Sequence, residues 1–201
     1  MFPHTTSRHV AGDMMRSHNY AVISVGANLP RRDGNHGAMF RAACLMLHGL
    51  GYPVVASSSL YRTPAWPPGS RHPDYTNAIF VLRLRGNNPT GLMRVLLHVE
   101  RLHGRHRRGR YAPRVLDLDV VDYRGRPLRL DVPDAPLQLP HPRMAQRAFV
   151  LVPLAEVWPN WCHPISGENI AHLLAKLDVG SPQPLTNGPF LGQMWRLPLE
   201  S

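Results

Sequence analysis

N-P-T-G-L-M-R-V-L-L-H-V-E-R-L-H-G occupies residues 88–104, and V-L-D-L-D-V-V-D-Y follows at residues 115–123. Asn88 and Pro89 make a cap and first-turn pair. Leu92, Val95, Leu96, Val99 and Leu102 recur at helical spacing, so the first stretch predicts a helix that Gly104 ends. The second alternates side chains about a strand axis and predicts a strand from Val115 to Tyr123. Working outward toward the N-terminus, Ala78–Arg85, Val54–Tyr61 and Tyr20–Gly26 read as the third, second and first strands. Between the first two, Ala38, Met39, Ala42, Leu45 and Met46 keep a helical period that Gly49 and Gly51 close. The order is strand, helix, strand, strand, helix, strand. It predicts an α+β fold of the ferredoxin-like βαββαβ type, an antiparallel sheet with helices on one face. A C-terminal extension follows: a proline-rich crossing from Pro127 to Pro142, a short apolar segment, and a last helix from about Gly167 to Leu177. The expected organisation is a poorly ordered leader over residues 1–19, a single domain over 20–178 and a loosely ordered tail over 179–201.

Composition narrows the function classes. The chain has 201 residues, 43% of them apolar and 18% charged, which describes a globular domain with room for a proper core. Its net charge of +10 comes almost wholly from arginine, since Lys176 is the only lysine. The phosphate loop G-x-x-x-x-G-K-[ST] and the kinase strand V-A-I-K are therefore absent, and a nucleotide must be held by arginine and metal. Cys44 and Cys162 show no metal-ligand spacing and make no disulfide framework, consistent with reduced thiols and a cytoplasmic location. The leader carries no apolar run of the secretory kind. The longest apolar stretch, around Ala148 to Trp158, is broken by Pro153 and Glu156 and is too short to span a membrane.

The chemistry concentrates between Arg105 and Asp119, in R-H-R-R-G-R-Y-A-P-R-V-L-D-L-D. Asp117 and Asp119 alternate with Leu116, Leu118 and Val120, so the two carboxylates share one sheet face roughly 6–7 Å apart along the strand. Like charges held that close need a cation or water between them, and the spacing suits a pair of divalent ions. Arg105, Arg107, Arg108, Arg110 and Arg114 read as a solvated loop, a nucleic-acid patch or a polyphosphate clamp. The acidic pair directly downstream favours the clamp, because a nucleic-acid surface avoids carboxylates facing its phosphates. Glu100, at the edge of the helical stripe, reads by itself as a surface residue paired with Arg101 or Arg105. His141 lies between two prolines in L-P-H-P-R-M, where the backbone has little freedom. Asn77 offers an amide suited to the edge of a heterocycle, and Trp66 stands in a proline-rich loop of the kind that walls a ligand site.

Five segments in order, S-S-S-L-Y-R-T-P, P-D-Y-T-N-A, V-E-R-L-H-G-R-H-R, Y-A-P-R-V-L-D-L-D and L-P-H-P-R-M-A-Q-R-A-F-V-L-V-P-L-A-E, resemble the 6-hydroxymethyl-7,8-dihydropterin pyrophosphokinases of folate biosynthesis. The likeness runs from about Tyr20 to Gly167. It implies transfer of a pyrophosphoryl group from ATP to the pterin's hydroxymethyl oxygen with release of AMP. It implies that Asp117 and Asp119 hold two magnesium ions, and that Arg105 and Arg114 stand nearest the chemistry. Arg107, Arg110 and Tyr111 match a loop that closes over ATP, while His141, Arg147, Glu100 and Val120 match nucleotide contacts. Thr63, Pro64, Tyr75, Asn77 and Phe149 match the pterin pocket. Two departures stand out: the family's G-S-N-L reads Gly26-Ala27-Asn28-Leu29, and Pro30 follows. The implied partners are ATP and the pterin alone, with no nucleic acid and no membrane, acting on a monomer. The alternatives are an RNA-binding domain built on the same sheet, a transferase acting on another alcohol, and a copy that binds pterin without turnover.

Overall fold

The computed structural model describes residues 19–29, 36–65, 72–104, 115–131, 137–177 and 182–185. Strand β1 (Tyr20–Ala27) is apolar on both faces and takes the middle of the main sheet. It is followed by α1 (His36–Gly49), the short strands β2 (Val54–Ser57) and β3 (Tyr61–Thr63), and the long strand β4 (Tyr75–Arg83). Next come α2 (Pro89–Leu102) and β5 (Asp117–Tyr123), which close the six-element order expected from the sequence. A hairpin, β6 (Leu128–Leu130) with β7 (Leu137–Leu139), leads through a 3-10 turn at Met144–Gln146 to α3 (Ala148–Val157). The last described elements are α4 (Ile170–Ala175) and β8 (Gln183–Pro184).

Every pairing in the main sheet is antiparallel. The order is β5-β1-β4-β3-β8, and β2 shares with β3 the same edge of β4. The second strand is thus not continuous over Val54–Tyr61. It breaks at Ser58, whose Oγ accepts from Ile79 N at 2.9 Å and donates to Ser59 O at 2.7 Å. A serine side chain there does what a strand backbone group would otherwise do. Farther along the chain, Gln183–Pro184 pairs with β3, and Leu185 N donates to Leu60 O at 2.7 Å.

The expectation of helices on one face needs correcting. Ala21, Ile23, Val25, Phe80, Leu82, Leu118 and Val120 meet α1 and α2 through Met39, Phe40, Cys44, Leu47, Leu92, Leu96 and Val99. The opposite face, with Tyr20, Val22, Ile79, Val81 and Val121, is covered by Val150, Leu151 and Leu154 of α3, by Trp161, and by Ile170 and Leu173 of α4. The physical reason is that β1 and β4 carry apolar side chains at nearly every position, so neither face can be left to water. The apolar segment around Ala148 accordingly folds as a helix, despite Pro153 within it.

α2 behaves as its sequence predicts. Asn88 Oδ1 accepts from Gly91 N at 2.8 Å, Pro89 stands in the first turn, and Gly104 takes a left-handed φ of 83° beyond the end. Leu102, however, lies outside the stripe at 59% exposure. In α1 the phase is rotated from expectation. Gly37, Met39, Phe40, Ala43, Cys44 and Leu47 are buried while Ala38, Ala42 and Leu45 face out, because Phe40 packs edge-on to Phe80 with ring centroids 6.5 Å apart.

Candidate active site

The sheet register sets out the site. Gly26 of β1 pairs with Asp117 of β5 on one side and with Asn77 of β4 on the other, and Asn77 pairs in turn with Tyr61 of β3. Directly paired residues of an antiparallel ladder project to one face. Asp117, Gly26, Asn77 and Tyr61 therefore form one row across the sheet, on the face that carries α3. Asp119 joins the same face one step along, opposite Ser24. Two strand spacings separate Asp117 from Asn77, roughly 10 Å. Between them the row has no side chain at all. A Cβ on Gly26 would stand 3.3 Å from Asn77 Oδ1, so the glycine leaves a bare floor between a carboxylate end and an amide end.

At the carboxylate end, Asp117 and Asp119 are both half-buried, and the Asp117 Oδ1 atom is fully so. His141 is fixed beside them by its own backbone, whose N–H donates to Val121 O at 2.9 Å. Burial pushes the His141 ring down to about 4, helped by Arg147 and, more weakly, Arg143, while Asp117 pulls the other way. The ring is neutral at neutral pH. Its Nδ1 accepts from Arg143 N at 3.2 Å, which assigns the proton to Nε2 and makes that atom a donor. Arg147 stands immediately before α3 with its guanidinium carbon 5.4 Å from the Phe149 ring centroid.

At the amide end, Asn77 Nδ2 donates to Thr63 Oγ1 at 2.7 Å, which fixes the orientation of a nearly buried amide. Thr63 pairs with Tyr75 across β3 and β4. Pro64 follows Thr63 at the surface. Phe149, in the first turn of α3, packs partly buried against the apolar cluster of this face, and α3 lies over β3 and β4. Thr63, Tyr75 and Asn77 are thus gathered at one sheet edge, on the face that α3 and Phe149 cover.

The profile of the family described as 7,8-dihydro-6-hydroxymethylpterin-pyrophosphokinase (HPPK) matches residues 22–159. The chain belongs to that family. With membership comes the enzyme class, a pyrophosphokinase, and curated relatives carry the corresponding name. The chain is 39% identical to "2-amino-4-hydroxy-6-hydroxymethyldihydropteridine pyrophosphokinase" of Synechocystis over 173 residues, 86% of this chain and 83% of that one. It is 41% identical to the protein of the same name from Methylorubrum extorquens over 160 residues, 79% of this chain and 93% of the other. Its fold is similar to Plasmodium falciparum HPPK-DHPS solved with pteroate, at a TM-score of 0.62 and 14% identity. That likeness covers 79% of this chain and 42% of the solved one.

The structure also settles how this family member departs from the family pattern. Ala27, where the resemblance implies serine, has its side chain wholly buried on the α1 face, opposite to the row of Asp117, Gly26 and Asn77. The next residue, Asn28, is buried too, with Nδ2 donating to Pro73 O at 3.4 Å. Glu100 is corrected from a surface residue to a buried one. At 2% exposure it continues the α2 stripe, and its Oε1 accepts from Leu118 N at 2.7 Å on β5. Val120 sits in the core on the α1 and α2 side, so only its main chain is left to meet a ligand. Arg105, Arg107, Arg108, Arg110, Tyr111 and Arg114 lie outside the described residues, as do Pro30 and Trp66. The segment that carries the arginines joins Gly104 to Val115, and so enters β5 directly before Asp117.

Sequence reasoning passed over several residues that shape the site. His36 bridges Thr76 Oγ1 at 2.8 Å and Leu29 O at 2.9 Å, holding from the α1 face the strand position next to Asn77. Glu156 reaches Ser59 and Tyr61 across the sheet edge. The three serines at 57–59 were the available signal, since a polar run inside an apolar strand calls for partners.

Among the described residues no group of three or more His, Cys, Asp or Glu gathers around one point. A two-carboxylate donor set nevertheless fits magnesium, which takes one or two carboxylates and completes its shell with phosphate oxygens and water. No helix of the described residues is long and apolar enough to cross a membrane.

Proposed function

We propose that this protein transfers the pyrophosphoryl group of ATP to the hydroxymethyl oxygen of 6-hydroxymethyl-7,8-dihydropterin, giving AMP and the pterin diphosphate for folate synthesis. The row Asp117–Gly26–Asn77 carries the proposal: a carboxylate suited to a hard cation and an amide suited to a heterocycle lie on one sheet face, with a bare glycine between them. Asp117 and Asp119 would hold magnesium, two ions in this reading, which when bound neutralises the triphosphate and orients it. Asn77, oriented by Thr63, presents its carbonyl edge to the pterin, and Phe149 and Tyr75 supply apolar surface to the ring. His141, neutral with Nε2–H outward, donates to a phosphate oxygen without adding charge, and Arg147 adds one positive charge beside it. Arg105 and Arg114 absorb the charge that develops as AMP departs, and Arg107, Arg110 and Tyr111 close over the nucleotide. Glu100 orients β5 through Leu118 N rather than touching ATP with its carboxylate. The work is positioning and electrostatics, and no side chain of the cleft is assigned as a general base.

This reading takes the sheet order as the ferredoxin-like one, with β2 and β3 together as the second strand. It places the enzyme in the cytoplasm as a monomer. An RNA-binding role needs an open sheet face for base stacking, and both faces here are packed by helices. The deciding experiment mixes the protein with ATP, magnesium and hydroxymethyldihydropterin and follows AMP. Turnover is expected only with all three present, and its loss with chelator should be reversed by magnesium. AMP formation that ignores the pterin, or that continues in excess chelator, would overturn the proposal.

A further inference from the structure

We infer that Glu156 is a positioning residue for the pterin end of the cleft, holding α3 and β3 at the spacing the heterocycle requires. This rests on the pyrophosphokinase reading of the site. One carboxylate ties the two elements together. Glu156 Oε1 accepts from Ser59 N at 3.1 Å and Ser59 Oγ at 2.8 Å, and Oε2 accepts from Ser59 N at 2.9 Å and Tyr61 OH at 2.9 Å. Ser59 and Tyr61 are buried; Ser59 lies in the break between β2 and β3, and Tyr61 is the first residue of β3.

The geometry relates these contacts to the site. Glu156 follows Phe149 by seven residues, two turns of α3, so both project from the same side of the helix. Tyr61 opens β3, and Thr63, the last residue of that strand, orients Asn77. The carboxylate therefore fixes how far the Phe149 ring stands from the Thr63–Asn77 pair. It fixes nothing about Asp117 and Asp119, which lie on β5, three strands from β3. Pro153 makes the tie matter more, because it deprives α3 of one internal hydrogen bond and leaves its seating to outside contacts. Hydrogen bonds to an ionised acceptor are about twice as strong as neutral ones. The Tyr61 hydroxyl stays protonated throughout the working range, pushed up to about 12 by burial and by Glu156.

The test is steady-state kinetics on the full chain with both substrates varied, alongside melting by circular dichroism. Glu156→Ala should raise KM for hydroxymethyldihydropterin about tenfold, with KM for ATP changed by less than about twofold. Glu156→Gln, which keeps an acceptor oxygen and the shape, should recover part of that loss. Tyr61→Phe, which removes a single donor, should raise the pterin KM by about threefold. Asn88→Ala, destabilised at the start of α2 far from this tie, should leave the ratio of the two KM values at the wild-type figure. Equal changes in both KM values, or a pterin KM that none of the Glu156 and Tyr61 variants moves, overturns the inference. Should Glu156→Ala not fold, Glu156→Gln and Tyr61→Phe decide it in the same way. A wild-type protein that makes no AMP from the pterin would instead remove the reading of the site itself, and this inference with it.

Discussion

Asp117 and Asp119 differ in what stands across the sheet from them: a bare glycine for the first, Ser24 for the second. Their shared face was legible in the sequence because a strand alternates strictly, and two residues two apart cannot lie on opposite sides. Asp119→Ala should lower AMP formation by at least about a hundredfold while leaving urea stability within about 1 kcal/mol of wild type. Near-normal turnover in that variant would sink the carboxylate's part in holding metal. Gly26 makes a different prediction. Its replacement by alanine forces Asn77 Oδ1 to give way by a few tenths of an ångström, so pterin affinity measured by calorimetry should fall by about fivefold. Unchanged affinity would show that the amide does not read the ring. Glu100 could not be placed from sequence, because a carboxylate at the margin of a helical stripe turns inward only if a backbone donor awaits it. Leu118 N is that donor, and it belongs to another element.

Among the elements, α2 was the most legible, since its cap, first-turn proline, stripe and terminal glycine are all local signals. Asn88→Ala should cost about 1 kcal/mol in urea melts, and kcat/KM should stay within about twofold because the cap touches no site residue. A much larger kinetic loss would mean that α2 governs the neighbouring arginine segment. The α1 phase was not legible, because its seven-residue core from Met39 to Leu45 is apolar nearly all round and several stripes fit it. Contact between Phe40 and Phe80 selects one. α3 was hidden for a related reason: proline within a short apolar run argues against a helix by local rules, whereas burial against β3 and β4 outweighs the one lost bond.

At the scale of the whole molecule, the C-terminal helices are joined to the sheet through a buried carboxyl group. Asp122 accepts from Trp161 Nε1 at 2.8 Å and from Gly125 N at 3.0 Å. Burial raises its carboxyl above the ordinary 3.8, against the pull of the Trp161 and Gly125 bonds. Between 3.8 and the folded value the native protein keeps a proton that the unfolded chain has lost, so this group's contribution falls as pH rises through that window. Trp161→Phe removes a bond that favours the charged form and raises the carboxyl further. The variant should therefore lose about 1–3 kcal/mol near pH 7.5, and a smaller amount near pH 4, as paired urea titrations would record. A deficit that grows on acidification would contradict the assignment. What the sequence determined by itself was whatever depends on neighbours along the chain: the element order, the caps of α2, the shared face of two aspartates, and the family. What only the tertiary structure decided was whatever depends on partners distant in sequence: the second covered face, the burial of Glu100, the glycine floor between Asp117 and Asn77, and the reach of Glu156 to Ser59. Those pairings are set by packing across strands, and a one-dimensional pattern holds no record of which strand lies beside which.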